Sequence, residues 1–220
     1  MTTRSAARSR HEHNVVNGAI HRVIEYHVAS RPDAIAVTDG PSAVTYRELN
    51  QRANALARRL SESGLTRGAI ALVRMERSIN LATVLLAVLK AGAAYAWIDP
   101  ASPDDVDLPA DFCIQQRSAS AKEEAFLAVD LRGALAACAD RPSPNLPIVT
   151  RGSDVACALL DGAGHPKVLV PHATITALPA DAPSSGEWSA AAGAFDLWLG
   201  LMGGATVTVP TTAAAASAAA

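Results

Sequence analysis

Apolar positions along this chain switch repeatedly between a helical and an alternating period. Between Gly18 and Ser30, the residues Ile20, Val23, Ile24, His27 and Val28 recur at helical spacing and predict an amphipathic helix, which Arg31-Pro32-Asp33 breaks. Ile35 to Thr38 predicts a short strand, Asp39 to Ser42 a turn and Ala43 to Thr45 the return strand. Thr45-Tyr46-Arg47-Glu48 has the form of a capping box, and the helix after it carries Leu49, Ala53, Leu56, Ala57 and Leu60 on one face until Gly64 stops it. Ile70 to Met75 predicts a strand. Ser78 then caps a helix whose Leu81, Val84, Leu85, Val88 and Leu89 leave little polar face, so it is expected to be buried, with Gly92 at its end. Ala94 to Ile98 is a further buried strand ending at Asp99-Pro100. Helices alternating with short buried strands predict an α/β fold, with layered helices on a largely parallel sheet.

Beyond Pro100 the pattern loosens. Ala101 to Ala110 is rich in Pro and Asp and is poorly suited to a helix; Asp111 to Gln115 and Phe126 to Leu131 read as short strands and Arg132 to Ala139 as a helical turn or two. Arg141 to Pro147 holds three prolines and reads as a linker. Val155 to Leu160 is a buried-strand run, followed by a small-residue turn, Pro166-Lys167 and a second apolar run. The expected organisation is a flexible basic arm over 1–17, one α/β domain over 18–210 and an Ala-rich tail over 211–220.

Composition narrows the class. At 220 residues, 50% hydrophobic and with a formal net charge of −2, the chain can bury a substantial core and lacks the basic surplus of a nucleic-acid-binding protein. The longest apolar stretch, Leu81 to Ala96, is interrupted by Lys90 and Gly92 and is too short to span a membrane; no secretory h-region follows the basic N-terminus. A cytoplasmic protein is expected. Cys113, Cys138 and Cys157 lie in apolar surroundings without paired spacing and read as reduced core thiols. His11 and His13 flank Glu12 in the arm, where closing a metal site would need further ligands nearby, so they read as solvated. Gly162-Ala163-Gly164 completes neither a dinucleotide fingerprint nor a Walker loop, and there is no G-x-S-x-G, H-E-x-x-H or Cys-x-x-Cys. No metal and no cofactor is expected.

Three segments carry a family resemblance. VTYRELNQRANALARRL (Val44 to Leu60) is similar to the pattern L-T-Y-x-E-L-N-x-x-A-N-x-L-A-x-x-L of the amino-acid adenylation domains of nonribosomal peptide synthetases, members of the adenylate-forming, AMP-binding superfamily. LLAVLKAGAAYAWIDP (Leu85 to Pro100) is similar to that family's L-L-A-V-L-K-A-G-A-A-Y-V-P-L-D-P. DVACALLDGAGHPKVLVPH (Asp154 to His172) resembles the family's phosphate-loop segment D-L-A-Y-x-x-Y-T-S-G-S-T-G-x-P-K-G-V-x-V-x-H. The resemblance implies the fold of the N-terminal subdomain of adenylate-forming enzymes. Fold does not by itself imply activity.

Where the family's chemistry should sit, this chain departs from the pattern. The Ser/Thr hydroxyls of the loop are gone, the loop is two residues shorter between Asp154 and Pro166, and only Gly162, Gly164 and Lys167 remain as a degenerate remnant of it. Lys167 alone reads as a solvated charge and His172 as a structural histidine. GAFDLWLGLMGGATVTV resembles the family's F-D-x-S-V-W-E-x-W-x-x-L-L-x-G-A-T-V-V-V. The gap-free register places the carboxylate that would meet a substrate ammonium on Ala191. The other register places it on Asp196 and requires a five-residue deletion inside a helix. After Pro210 the pattern offers no counterpart of the family's specificity pocket, adenine and ribose contacts or C-terminal subdomain.

These departures lead to the expectation of a truncated, non-catalytic adenylation-like protein that works by contact within a nonribosomal peptide pathway. A carrier protein, another synthetase domain or a second copy of the chain would be its partner, with Trp188, Trp198 and Met202 as candidate partner-surface residues; Trp97 reads as a core or interface aromatic. The alternatives are the N-terminal half of a split adenylating enzyme completed in trans, a decayed remnant, and a small-molecule binder reusing the old cleft.

Overall fold

The computed structural model describes residues 18–98, 100, 110–115, 143–147, 150–161, 165–178, 188 and 194–210. The basic arm, the strand expected at Phe126 to Leu131, the turns at Arg132 to Ala139, Cys138 and the Ala-rich tail lie outside them. Contacts divide the chain into two compact units, one comprising Met1–Arg47, Thr150–Asp154 and Pro171–Ala220, the other Glu48–Val149 and Val155–Val170.

In the first unit, α1 (Ile20–Ser30) is followed by the hairpin β1 (Ile35–Asp39) and β2 (Ser42–Thr45), paired antiparallel through Thr38↔Ala43 and Asp39↔Ser42. The turn between them uses Gly40 at φ 55°, a left-handed conformation that costs other residues energy. β8 (Val207–Val209) pairs parallel to β1, giving the order β2-β1-β8. The helices α4 (His172–Thr176) and α5 (Phe195–Met202) pack on α1 and on each other, and α5 also packs on β8. The helix-to-strand approach is close: a Cβ added at Gly200 of α5 would come within 2.5 Å of Val207 Cγ2.

The second unit contains most of α2 (Tyr46–Glu62), β3 (Ile70–Arg74), α3 (Ile79–Lys90), β4 (Ala94–Ile98), β5 (Phe112–Gln115), β6 (Val155–Leu160) and nearly all of β7 (Pro166–Pro171). Its sheet has the order β5-β3-β4-β6-β7, and the β3/β4, β3/β5 and β4/β6 ladders are all parallel. The α/β fold with a largely parallel sheet is therefore as the periodicity predicted. Leu49, Ala53, Leu56, Ala57 and Leu60 are fully buried on α2, and every residue of α3 except Asn80 is buried. Ser78 Oγ accepts the Leu81 amide at 3.1 Å, the expected N-cap of α3.

The proline-rich segment expected to be a linker is fastened over 143–147. Asn145 Oδ1 accepts from Asn50 Nδ2 and Asn54 Nδ2, each at 3.0 Å, and from Lys90 Nζ at 3.5 Å. Asn54 Nδ2 also reaches the Ser143 carbonyl at 2.7 Å, and the Arg58 guanidinium donates to Ser143 Oγ and to the Pro144 carbonyl. Lys90 is 2% exposed, so the Asn145 oxygen offers an acceptor to an ammonium that burial has taken out of water.

Candidate functional site

The turn after β6 is where the sequence puts a phosphate-loop remnant. Ala156, Cys157 and Ala158 of β6 are buried, so this strand is fixed in the sheet and delivers Asp161 to the surface at its carboxyl end. In open α/β sheets that end is where ligands are received. Asp161 and His165 are joined twice through the backbone. His165 donates its N–H to Asp161 Oδ1 at 2.9 Å, and Asp161 donates its own N–H to the His165 carbonyl at 2.9 Å. The second carboxylate oxygen lies 3.4 Å from His165 Nδ1. Gly162 and Gly164 fall outside the described residues. Lys167 is exposed on β7, the edge strand of this sheet among the described residues, beside Val168 and Leu169 at 48% and 52% exposure.

His172 opens α4 and is buried. Its Nδ1 accepts the Ile20 amide at 3.3 Å, while its own amide donates to the Asp154 carbonyl at 3.0 Å and Ala173 N–H donates to the Gly152 carbonyl at 2.8 Å. The ring stands edge-on to His21 at 6.0 Å between centroids. Burial drives the imidazole pKa down to about 4, against a smaller upward pull from Asp154. The ring is neutral at physiological pH, as an acceptor must be. Its work is to cap α1, whose own N-cap residue Ala19 makes no side-chain capping bond.

The structure corrects one expectation about the surface. Trp188 and Trp198 are fully buried and Met202 is 2% exposed, so none of the three presents a side chain to a partner. Trp188 N–H donates to the Thr208 carbonyl at 2.9 Å, and the Met202 carbonyl accepts from His27 Nε2 at 2.6 Å. Helix packing and strand pairing consume these aromatics as core. Trp97 is half-buried: its Nε1 donates to the Met75 carbonyl at 2.9 Å, and the Arg77 guanidinium carbon lies 4.9 Å from its ring centroid.

Ala191 lies outside the described residues. Asp196, the carboxylate of the other register, is half-buried in the first turn of α5, which begins at Phe195. Cys113 and Cys157 are buried free thiols. Burial raises both, Cys157 to about 11 despite a hydrogen bond from Tyr95 that lowers it, so neither is activated as a nucleophile. Among the described residues no group of three or more His, Cys, Asp or Glu could hold a metal, and no helix is long and apolar enough to cross a membrane.

Two residues escaped the sequence reading. Asp161 shows only as an acidic residue four positions before a histidine. Tyr46 lies inside the TYRELN match, and its buried hydroxyl sits 2.8 Å from the Ala205 carbonyl and 3.1 Å from the Leu201 carbonyl. Burial holds its pKa well above the usual phenol value, outweighing a smaller downward pull from Arg31.

A parallel α/β unit of this order is the architecture of the N-terminal subdomain of adenylate-forming enzymes, and comparison with known proteins points the same way. Residues 24–111 match the AMP-binding enzyme family. Surfactin synthase subunit 2 of Bacillus subtilis (strain 168) is 47% identical over 87 residues, covering 40% of this chain and 2% of that protein. Bacitracin synthase 1 of Bacillus licheniformis is 33% identical over 163 residues, covering 70% of this chain and 3% of that protein. The Klebsiella oxytoca NpsA N-terminal subdomain, solved in complex with 3-hydroxyanthranilyl-AMSN, superposes with a TM-score of 0.72 at 26% identity, over 90% of this chain and 56% of that one. This chain is similar to the N-terminal part of nonribosomal peptide synthetase adenylation domains. It spans a few per cent of the length of these curated relatives and just over half of the solved subdomain.

Proposed function

We propose that this chain is a non-catalytic, adenylation-like component of a nonribosomal peptide pathway that acts by contact with other synthetase proteins, a carrier protein first among them. The observation that carries this reading is the turn after β6. From Asp154 to Lys167 there is no Ser or Thr, and the described ends of the turn bond to each other through Asp161 and His165. Phosphate oxygens are ordinarily met by open N–H groups, hydroxyls and a positioned cation; here Lys167 is exposed and a carboxylate stands beside the turn. The scaffold is meanwhile well kept, and the consecutive exposed Val168 and Leu169 on an edge strand supply apolar surface for contact. ATP–pyrophosphate exchange with a panel of amino and aryl acids tests the reading. No exchange by the chain alone is expected; exchange that Lys167→Ala abolishes would refute it.

A second reading has its own support in Asp196, a carboxylate in the first turn of α5. On that reading the chain is the N-terminal half of an adenylating enzyme completed in trans. Exchange activity would then appear only on mixing with the remaining part of an adenylation domain, and Asp196→Asn would remove it.

A further inference from the structure

In the second unit, two side-chain amides one helical turn apart on α2 each keep an oxygen out of water. Asn50 is 7% exposed and Asn54 0%, and the Oδ1 of each is buried without a hydrogen-bond partner among the described residues. Neither amide is free to turn over. Asn54 Nδ2 donates one proton to the Ser143 carbonyl at 2.7 Å, an oxygen that can only accept, and the other to Asn145 Oδ1 at 3.0 Å. Reversing it would set oxygen against the Ser143 carbonyl. Asn145 must then present its own oxygen, which fixes Asn50 Nδ2 on it at 3.0 Å as well. Buried acceptors left unmet in this way are costly.

A group that meets both oxygens must donate twice. Residues at i and i+4 on a helix lie side by side, their Cβ atoms about 5–6 Å apart. An amide oxygen sits about 2.3 Å from its nitrogen, so both Oδ1 atoms lie within about 5.3 Å of Asn145 Oδ1. Lys90 Nζ, on a side chain 2% exposed, is 3.5 Å from that same atom. The ammonium repels a cation from this place, and the two amide oxygens repel an anion. A water molecule suits all three groups: it donates one proton to each oxygen and accepts from the ammonium, making about three hydrogen bonds, as buried waters usually do. We propose that α2 and α3 hold an internal water bridging Asn50 Oδ1, Asn54 Oδ1 and Lys90 Nζ. The fastening of residues 143–147 then has a water-bridged part behind the direct bonds to Asn145. This inference is independent of the non-catalytic reading.

The experiment pairs a crystal structure of the 220-residue chain with oxygen-17 magnetic relaxation dispersion in solution, which senses long-lived waters and is blind to exchanging side-chain protons. Density for a water within hydrogen-bonding distance of all three atoms is expected. Asn54→Leu and Asn50→Leu, near-isosteric changes that each delete one acceptor, should lose the dispersion of roughly one long-lived water. Circular dichroism and thermal melts confirm that each variant is folded; if neither is, the wild-type density decides alone. Lys90 Nζ bonded directly to either oxygen with no water between would overturn the proposal. So would a dispersion unchanged in a folded leucine variant.

Discussion

His172 Nδ1 accepts the backbone amide of Ile20, a hydrogen bond that spans 152 residues of sequence and ties the start of α4 to the start of α1. The family pattern retains a histidine at this place, and in this chain it serves as a buried helix cap. His172→Ala removes the acceptor and leaves a cavity, with the Ile20 amide unpaired. A loss of about 2–4 kcal/mol of stability is expected, read from urea unfolding followed by circular dichroism.

The same residue gives stability a pH dependence. Unfolded, His172 takes a proton near 6.5; folded, it does so near 4. Between those values the unfolded chain binds the additional proton, so stability falls as pH drops through that window. Above it, this residue adds no slope. The full effect is at most about 3 kcal/mol. The slope assigned to this residue should vanish in His172→Ala, which comparison of urea midpoints at pH 7, 5.5 and 4.5 would reveal; an unchanged slope would contradict the assignment.

Tyr46 makes its contribution through one oxygen. The hydroxyl carries a single proton and lies against two carbonyls, Ala205 and Leu201, in a buried setting. Tyr46→Phe keeps the ring and removes the donor to both carbonyls, although Leu201 O still accepts the Gly204 amide, so a loss of about 1–2 kcal/mol is expected in the same urea assay.

Asn145 tests whether the proline-rich segment is fastened or free. Its side-chain oxygen collects donors from Asn50, Asn54 and Lys90. Asn145→Ala should cost about 2–3 kcal/mol, because it leaves a buried ammonium and two amides short of an acceptor. Limited proteolysis should cut near residues 143–147 faster in the variant. Equal cleavage rates would show that the segment is held by other means.

Gly200 sets the approach of α5 to β8. A methyl group there would meet Val207 Cγ2 at 2.5 Å, so Gly200→Ala should destabilise by about 1–3 kcal/mol through overpacking, despite the better helix propensity of Ala. Val207→Ala in the same chain should return part of that loss. A double-mutant cycle without coupling would place the clash elsewhere.

Much of the scaffold was legible because it is written in local periodicity. The α2 face from Leu49 to Leu60, the all-round apolar α3 with its Ser78 cap and the short strands could each be read within a window of ten to twenty residues. The polar anchors were not legible. Asn145 meets Asn50 and Lys90 across 95 and 55 residues, and nothing local marks a proline-rich stretch as fastened. Trp188, Trp198 and Met202 show the same limit from the apolar side: a large side chain in an irregular stretch suits a core or an interface equally well until the packing around it is known. The Asp161–His165 contact needs β6 and β7 to lie side by side, which residue spacing alone does not specify.

On the proposed reading, the adenylation-like scaffold persists here without a working grip on nucleotide. Equilibrium titration of the unaided chain with magnesium ATP tests it most directly. The account predicts no saturable heat up to millimolar nucleotide, with wild type and Lys167→Ala indistinguishable. Micromolar binding by the wild type, lost in Lys167→Ala, would contradict it.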